Sequence, residues 1–69
     1  MLEHIRQIMQ SRFLTVTKTA AKLNMTTACL SRILHGYRKM TVQTFAQLCR
    51  VLEFDRETVL QLLREAADE

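Results

Sequence analysis

The residues able to do chemistry in this 69-residue chain fall into two unequal sets. Soft ligands and nucleophiles are few: Cys29, Cys49, His4 and His35 are its thiols and imidazoles. They make no CxxC or HxxxH spacing, and Cys29 and His35, six residues apart, fall on different sides of any helix that holds both. No metal site is expected. A nucleophile–base–acid relay is equally unsupported, because six of the seven acidic residues lie beyond residue 52. No catalytic residue is assigned, and the chain is not expected to be an enzyme. A phosphate-cradling loop needs several glycines, and Gly36 is the single one, so neither a nucleotide cofactor nor a small-molecule substrate is expected.

The larger set is cationic and hydroxylic. Residues 1–52 hold eight Lys or Arg against Glu3 alone, a net of +7, whereas residues 53–69 hold six acids against Arg56 and Arg64, a net of −4. The overall +3 conceals that division. A polyanion would be drawn to the first part and repelled by the second, which makes nucleic acid the candidate partner and gives the binding a polarity. The competing explanation is a solvated surface that happens to lack acids.

Helices have to carry these cations. Apolar residues make up 48% of the chain, mostly Leu, Ala, Met and Ile, and there is no Pro to supply the frequent turns that short strands require. The fold class is all-α, in one domain over residues 1–69. A chain this short buries only about 60% of its unfolded surface, so its elements must be regular and well packed. The longest stretch free of charged side chains, Met40 to Cys49, is too short and too polar to cross a bilayer, so no membrane partner is expected. Two cysteines could form one bridge, but no signal peptide and no dense cysteine framework accompany them; reduced thiols and a cytoplasmic protein are expected.

Apolar periodicity predicts five helices. Leu2, Ile5, Ile8 and Met9 repeat at helical spacing over residues 2–11, with Phe13 and Leu14 expected as buried anchors in the following loop. Thr15 caps a second helix over about 16–23 that buries Ala20 and Leu23, and Thr26 caps a third over about 27–35 that buries Leu30, Ile33 and Leu34. Gly36 ends the third, where positive φ carries no steric cost. Thr41 caps a fourth over about 42–52, with Val42, Phe45, Leu48, Cys49 and Leu52 inward, and Asp55 caps a fifth over about 56–67. Only Asn24-Met25-Thr26 separates the second and third helices, so they must cross steeply, with Met25 filling the corner.

The segment TVTKTAAKLNMTTACLSRILHG, from Thr15 to Gly36, resembles the lambda-repressor-like helix-turn-helix family, and the likeness continues through YRKMTVQTFAQLCRVLEF. Ala20, the Leu30-Ser31 pair and Gly36 stand where that family has a packing Ala, an aliphatic-Ser pair and a terminating Gly. There are departures. Val16 replaces a common Gln that bonds the DNA backbone. Thr19 and Asn24 replace a common Leu and Gly, and Asn tolerates the left-handed turn. Leu34 replaces a Glu that pairs with a first-helix Arg, whose aligned position is Met9, so an apolar Met9–Leu34 contact is expected instead.

The resemblance implies a third helix lying in the major groove, with Thr27, Ala28, Ser31 and Arg32 toward the base edges. Arg32 alone among them can make the bidentate guanine contact, worth about 1–3 kcal/mol of discrimination. Thr15 and Thr26 at helix N-termini, Lys18, and Tyr37, Arg38 and Lys39 after the recognition helix are the implied backbone contacts. Cap threonines can equally be only caps, and a loop Arg-Lys pair only solvated. His35 is read as a helix-end residue meeting the dipole, and Cys49 as a small core residue.

Helix five carries more apolar surface than one buried stripe needs. Val59, Leu62, Leu63 and Ala66 form one edge, and Leu60 and Ala67 lie beside it, so Leu60, Leu63 and Ala67 are assigned to a homodimer interface. The chain is thus expected to be a sequence-specific double-stranded DNA-binding transcriptional regulator. It reads as a phage- or plasmid-type repressor that binds a palindromic operator as a homodimer, nucleoid-associated in a bacterial or phage-infected cell. The alternative is an antitoxin or adaptor that binds another protein through helix five and DNA only secondarily.

Overall fold

The computed structural model describes residues 1–68, in which five helices follow one another: α1 (Leu2–Ser11), α2 (Val16–Lys22), α3 (Thr27–Leu34), α4 (Val42–Val51) and α5 (Arg56–Asp68). Four of them start on a side-chain oxygen. Thr15, Thr26 and Thr41 accept the N–H three residues on at 3.1 Å each, and Asp55 Oδ1 accepts that of Thr58 at 2.8 Å. Each cap satisfies one of the amide donors that a helix start leaves unpaired.

The first four helices also stop by one device. The second residue past the last helical one adopts left-handed backbone, and the N–H after it bonds the carbonyl five residues back. The left-handed residues are Phe13 (φ +57°), Asn24 (+57°), Gly36 (+81°) and Glu53 (+53°). The closing bonds are Leu14 to Met9, 2.8 Å; Met25 to Ala20, 3.0 Å; Tyr37 to Arg32, 2.9 Å; and Phe54 to Cys49, 3.0 Å. Leu14, Met25 and Phe54 then turn onto the core. Tyr37, the fourth of the kind, stays 84% exposed.

The core consists of Ile5, Met9, Ala20, Leu23, Leu30, Leu34, Leu48, Leu52 and Leu62, so every helix contributes. α3 packs against both α1 and α2. Thr19 is the buried polar residue, and its hydroxyl is satisfied by the Thr15 carbonyl at 2.9 Å. The radius of gyration, 11.1 Å, is what about 2.2·N^0.38 gives for a folded chain of this length.

Three expected core positions lie outside instead. Phe13 is 92% exposed, because the left-handed turn that ends α1 brings Leu14 inward in its place. Val42 is 86% exposed. A helical side chain covers the turn before its own Cα, and the first residue of α4 has no such turn beneath it. On α5, Leu62 is buried and Val59 and Ala66 are half-buried, but Leu63 is 48% exposed and belongs to the outer stripe only. Helix ends fall within one residue of expectation, since the last expected residue of α2, α3 and α4 is the cap that begins the left-handed turn.

α5 is tied to α1 by charge. Glu65 accepts from His4 Nδ1 at 2.8 Å and from Gln61 at 3.3 Å. Partial desolvation pushes the Glu65 carboxyl up, but these hydrogen bonds and the His4 charge outweigh it and hold it below its ordinary value. Asp55 is also held low, by the hydroxyl and the backbone N–H of Thr58.

Two outcomes are expected in urea unfolding. A carboxylate whose folded pKa is depressed stabilises above its unfolded pKa and loses that contribution as pH falls through the folded one. The midpoint should therefore begin to drop near about pH 5 and keep falling below the usual carboxylate range of about 4. Asp55→Asn, which still caps, should flatten that dependence. Left-handed backbone at a non-glycine residue costs about 1–2 kcal/mol, so Glu53→Gly should raise stability by about 0.5–1 kcal/mol. Gly36→Ala should lower it by about 1–2 kcal/mol. A Cβ at Gly36 would meet Leu2 Cδ1 at an ordinary 3.7 Å, so that loss is one of backbone conformation.

Candidate nucleic-acid interface

α3 has only two turns, and its two sides differ completely. Leu30, Ile33 and Leu34 are buried, whereas Thr27, Ala28 and Arg32 are exposed and Ser31 is half-buried. The four expected base-reading residues thus share the side that the core leaves uncovered. Thr26 heads this side with its Oγ1 engaged by the Cys29 N–H. At the other end, His35 Nδ1 meets the Ser31 carbonyl at 2.9 Å, which is the expected helix-end role.

The left-handed turn at Gly36 folds the following loop back along α3. The N–H groups of both Tyr37 and Arg38 converge on the Arg32 carbonyl, at 2.9 and 3.2 Å. Arg38 Nη1 then donates to Cys29 Sγ at 3.4 Å, which brings the loop guanidinium beside the first turn of α3. Tyr37, Arg38 and Lys39 are all exposed, as are Thr15 and Lys18 at the start of α2. Thr15 Oγ1 accepts the Lys18 N–H, and its hydroxyl hydrogen is still available to donate to an acceptor such as a phosphate oxygen. Among the described residues, no acid pairs with Lys18, Arg32, Arg38 or Lys39.

The positive body is not wholly turned outward. Arg6 Nη1 donates to the Leu34 carbonyl at the end of α3, and Arg12 Nη1 donates to the Leu52 carbonyl at the end of α4. The Arg12 guanidinium also lies 5.7 Å from the centre of the Phe54 ring. Both arginines place positive charge at a helix C-terminus, where the dipole favours it. Met9 and Leu34 share the core cluster, as an apolar replacement for an ion pair should, and a first-helix arginine still reaches Leu34, by way of its backbone.

Residues 4–64 match the family model of the Cro/C1-type HTH (helix-turn-helix) DNA-binding domain. The chain belongs to that family. No curated protein and no solved structure shows a significant match to it. As a Cro/C1-type domain it is a DNA-binding regulator of transcription, with α2 and α3 as the helix-turn-helix.

Among the described residues, no group of His, Cys, Asp and Glu could hold a metal ion, and no helix is long and apolar enough to cross a membrane. Cys49 is half-buried, and burial pushes its thiol pKa up. The Cys29–Arg38 bond and the two arginine–carbonyl bonds have no signature in sequence spacing, because the partners stand 9, 28 and 40 residues apart and two of the acceptors are backbone.

The inward and outward arginines should separate in stability measurements. Arg6→Ala removes a charged donor from the Leu34 carbonyl and should cost about 1.5–3 kcal/mol. Arg38→Ala, at an exposed position, should change stability by no more than about 0.5 kcal/mol. Equal losses in urea would mean that Arg38 also holds the fold.

Proposed function

We propose that the chain is a repressor of the phage or plasmid type that binds a palindromic operator as a homodimer and blocks a promoter by occupancy. The observation that carries this reading is the two-sided α3. Its outer side, with the loop after it, offers hydroxyls and guanidinium groups that no acid among the described residues pairs with. In this reading Arg32 reads a guanine, Thr27 or Ala28 meets a thymine methyl, and Ser31 is permissive. Thr15, Lys18, Thr26, Tyr37, Arg38 and Lys39 hold the phosphates and set the register.

Few direct base contacts make one copy a weak reader. Leu60 and Leu63, 46% and 48% exposed, stand with exposed Ala67 along one side of α5 and supply an apolar seam for a second copy. A twofold dimer would then read half-sites about 34 Å apart. The acids of residues 53–69 suit this seam, which has to face away from the phosphates.

Selection of binding sites from random duplex DNA, followed by salt titration on the winner, tests the proposal. A palindrome should emerge, with affinity falling steeply as salt rises. Arg32→Ala should relax preference at one base position in each half-site. Arg38→Ala and Lys39→Ala should weaken all sequences alike and reduce the salt slope by about one each. Leu63→Glu should leave a monomer in sedimentation and lose the palindrome. No enriched sequence at all would sink the reading.

A further inference from the structure

Phe13 is more exposed than any other large apolar residue among those described, and it holds left-handed backbone that disfavours a side chain. Nothing in the core accounts for retaining an aromatic there. Its neighbours Leu14 and Val16, with the buried Met9 and Leu34 beneath them, share with four polar residues, Thr15 among them, the lining of a groove of about 320 Å³ between α1, the start of α2 and the end of α3. That volume exceeds the roughly 150 Å³ of a cavity that holds one benzene ring, so it has room for a single aromatic side chain. The chain's own ring is not among its lining residues.

A knob beside a matching hole on one edge is what a twofold contact requires, because the patch then meets itself and each copy supplies the other's knob. We propose that Phe13 of one copy inserts into the Met9–Leu14–Val16–Leu34 groove of a second copy standing next to it on the same duplex. The setting rests on the DNA reading above, in which Thr15, itself part of the groove's lining, lies against the DNA backbone.

Size decides when the contact acts. An aromatic side chain buries roughly 150–250 Å², so exchanging two rings removes about 300–500 Å², and covering the two grooves adds only a little more. Specific interfaces that hold on their own remove at least about 1,200 Å². The contact is therefore weak between free copies and becomes effective once DNA holds two of them at high local concentration. It is distinct from the α5 seam, since Leu60, Leu63 and Ala67 do not line this groove.

The test uses duplexes carrying one selected site, or two with their spacing stepped through a helical turn. Wild-type protein should fill the second site about tenfold more tightly at the favoured spacing. Phe13→Ala should remove that gain without changing single-site affinity, and Phe13→Leu should keep part of it. No gain at any spacing, or an undiminished gain in Phe13→Ala, overturns the proposal. If no duplex binds at all, the DNA reading fails separately, and methyl NMR of the DNA-free chain at millimolar concentration decides the pairing. Concentration-dependent shifts at Met9, Leu14 and Val16 that vanish in Phe13→Ala support it; their absence overturns it.

Discussion

An eight-residue helix has almost no stability of its own, so α3 exists because Leu30 and Leu34 are buried against its neighbours. The rest of the molecule can be understood as the means of burying those two side chains without covering the opposite side. α1 and α2 close over the inner side. The Thr26 cap and the left-handed Gly36 confine α3 to two turns, and the same turn at Gly36 sends the chain back beside it rather than across it. A longer third helix would carry Tyr37 and Arg38 round the helix axis, away from the Arg32 carbonyl on which their N–H groups now converge.

Charge is divided on the same principle. Arg6 and Arg12 have sequence neighbourhoods much like those of the outward cations, yet they end on carbonyls at the C-termini of α3 and α4. A guanidinium suits this task because it offers several donors and remains ionised, and at a helix C-terminus it meets both unpaired carbonyls and the negative end of the dipole. The +7 over residues 1–52 is therefore not all aimed at a partner, although both guanidinium groups keep their charge. The acids of the last segment are also not idle: Glu65 holds α5 to α1 through His4, and Asp55 starts α5.

How much was legible in the sequence follows from how local each interaction is. The four helix starts were readable, because a capping Thr or Asp bonds an amide only three residues on. The turns at Asn24 and Gly36 were readable too, since those residue types tolerate positive φ. Phe13 and Glu53 take the same conformation against their type, forced by the bonds from Leu14 to Met9 and from Phe54 to Cys49, and so left no sign. Phe13, expected as a buried loop anchor, was misread because the left-handed turn brings Leu14 inward instead, and Val42 because periodicity takes no account of the missing turn before a helix's first residue. The outward residues of α3 were named from the family resemblance, and they fall on the side that its buried residues leave open, while the Arg38–Cys29 bond depends on a fold-back that no spacing encodes.

Phe13 and the α5 seam, two of the exposed apolar features of this domain, differ in how they are built, and the difference bears on when each can act. The α5 seam is a regular helical stripe, available in the free protein and extendable along the helix, so it suits a contact that persists off DNA. Phe13 is a single ring displayed by a strained turn. Strain of that kind persists only where the surrounding bonds over-determine it, and here the Leu14 N–H to Met9 bond and the burial of Leu14 do so. The same turn that lifts Phe13 into solvent lays Leu14 into the groove wall, so ring and groove are coupled products of one backbone conformation. Relaxing the turn would remove both together, which is why the end of α1, rather than any residue of α3, governs that edge of the molecule.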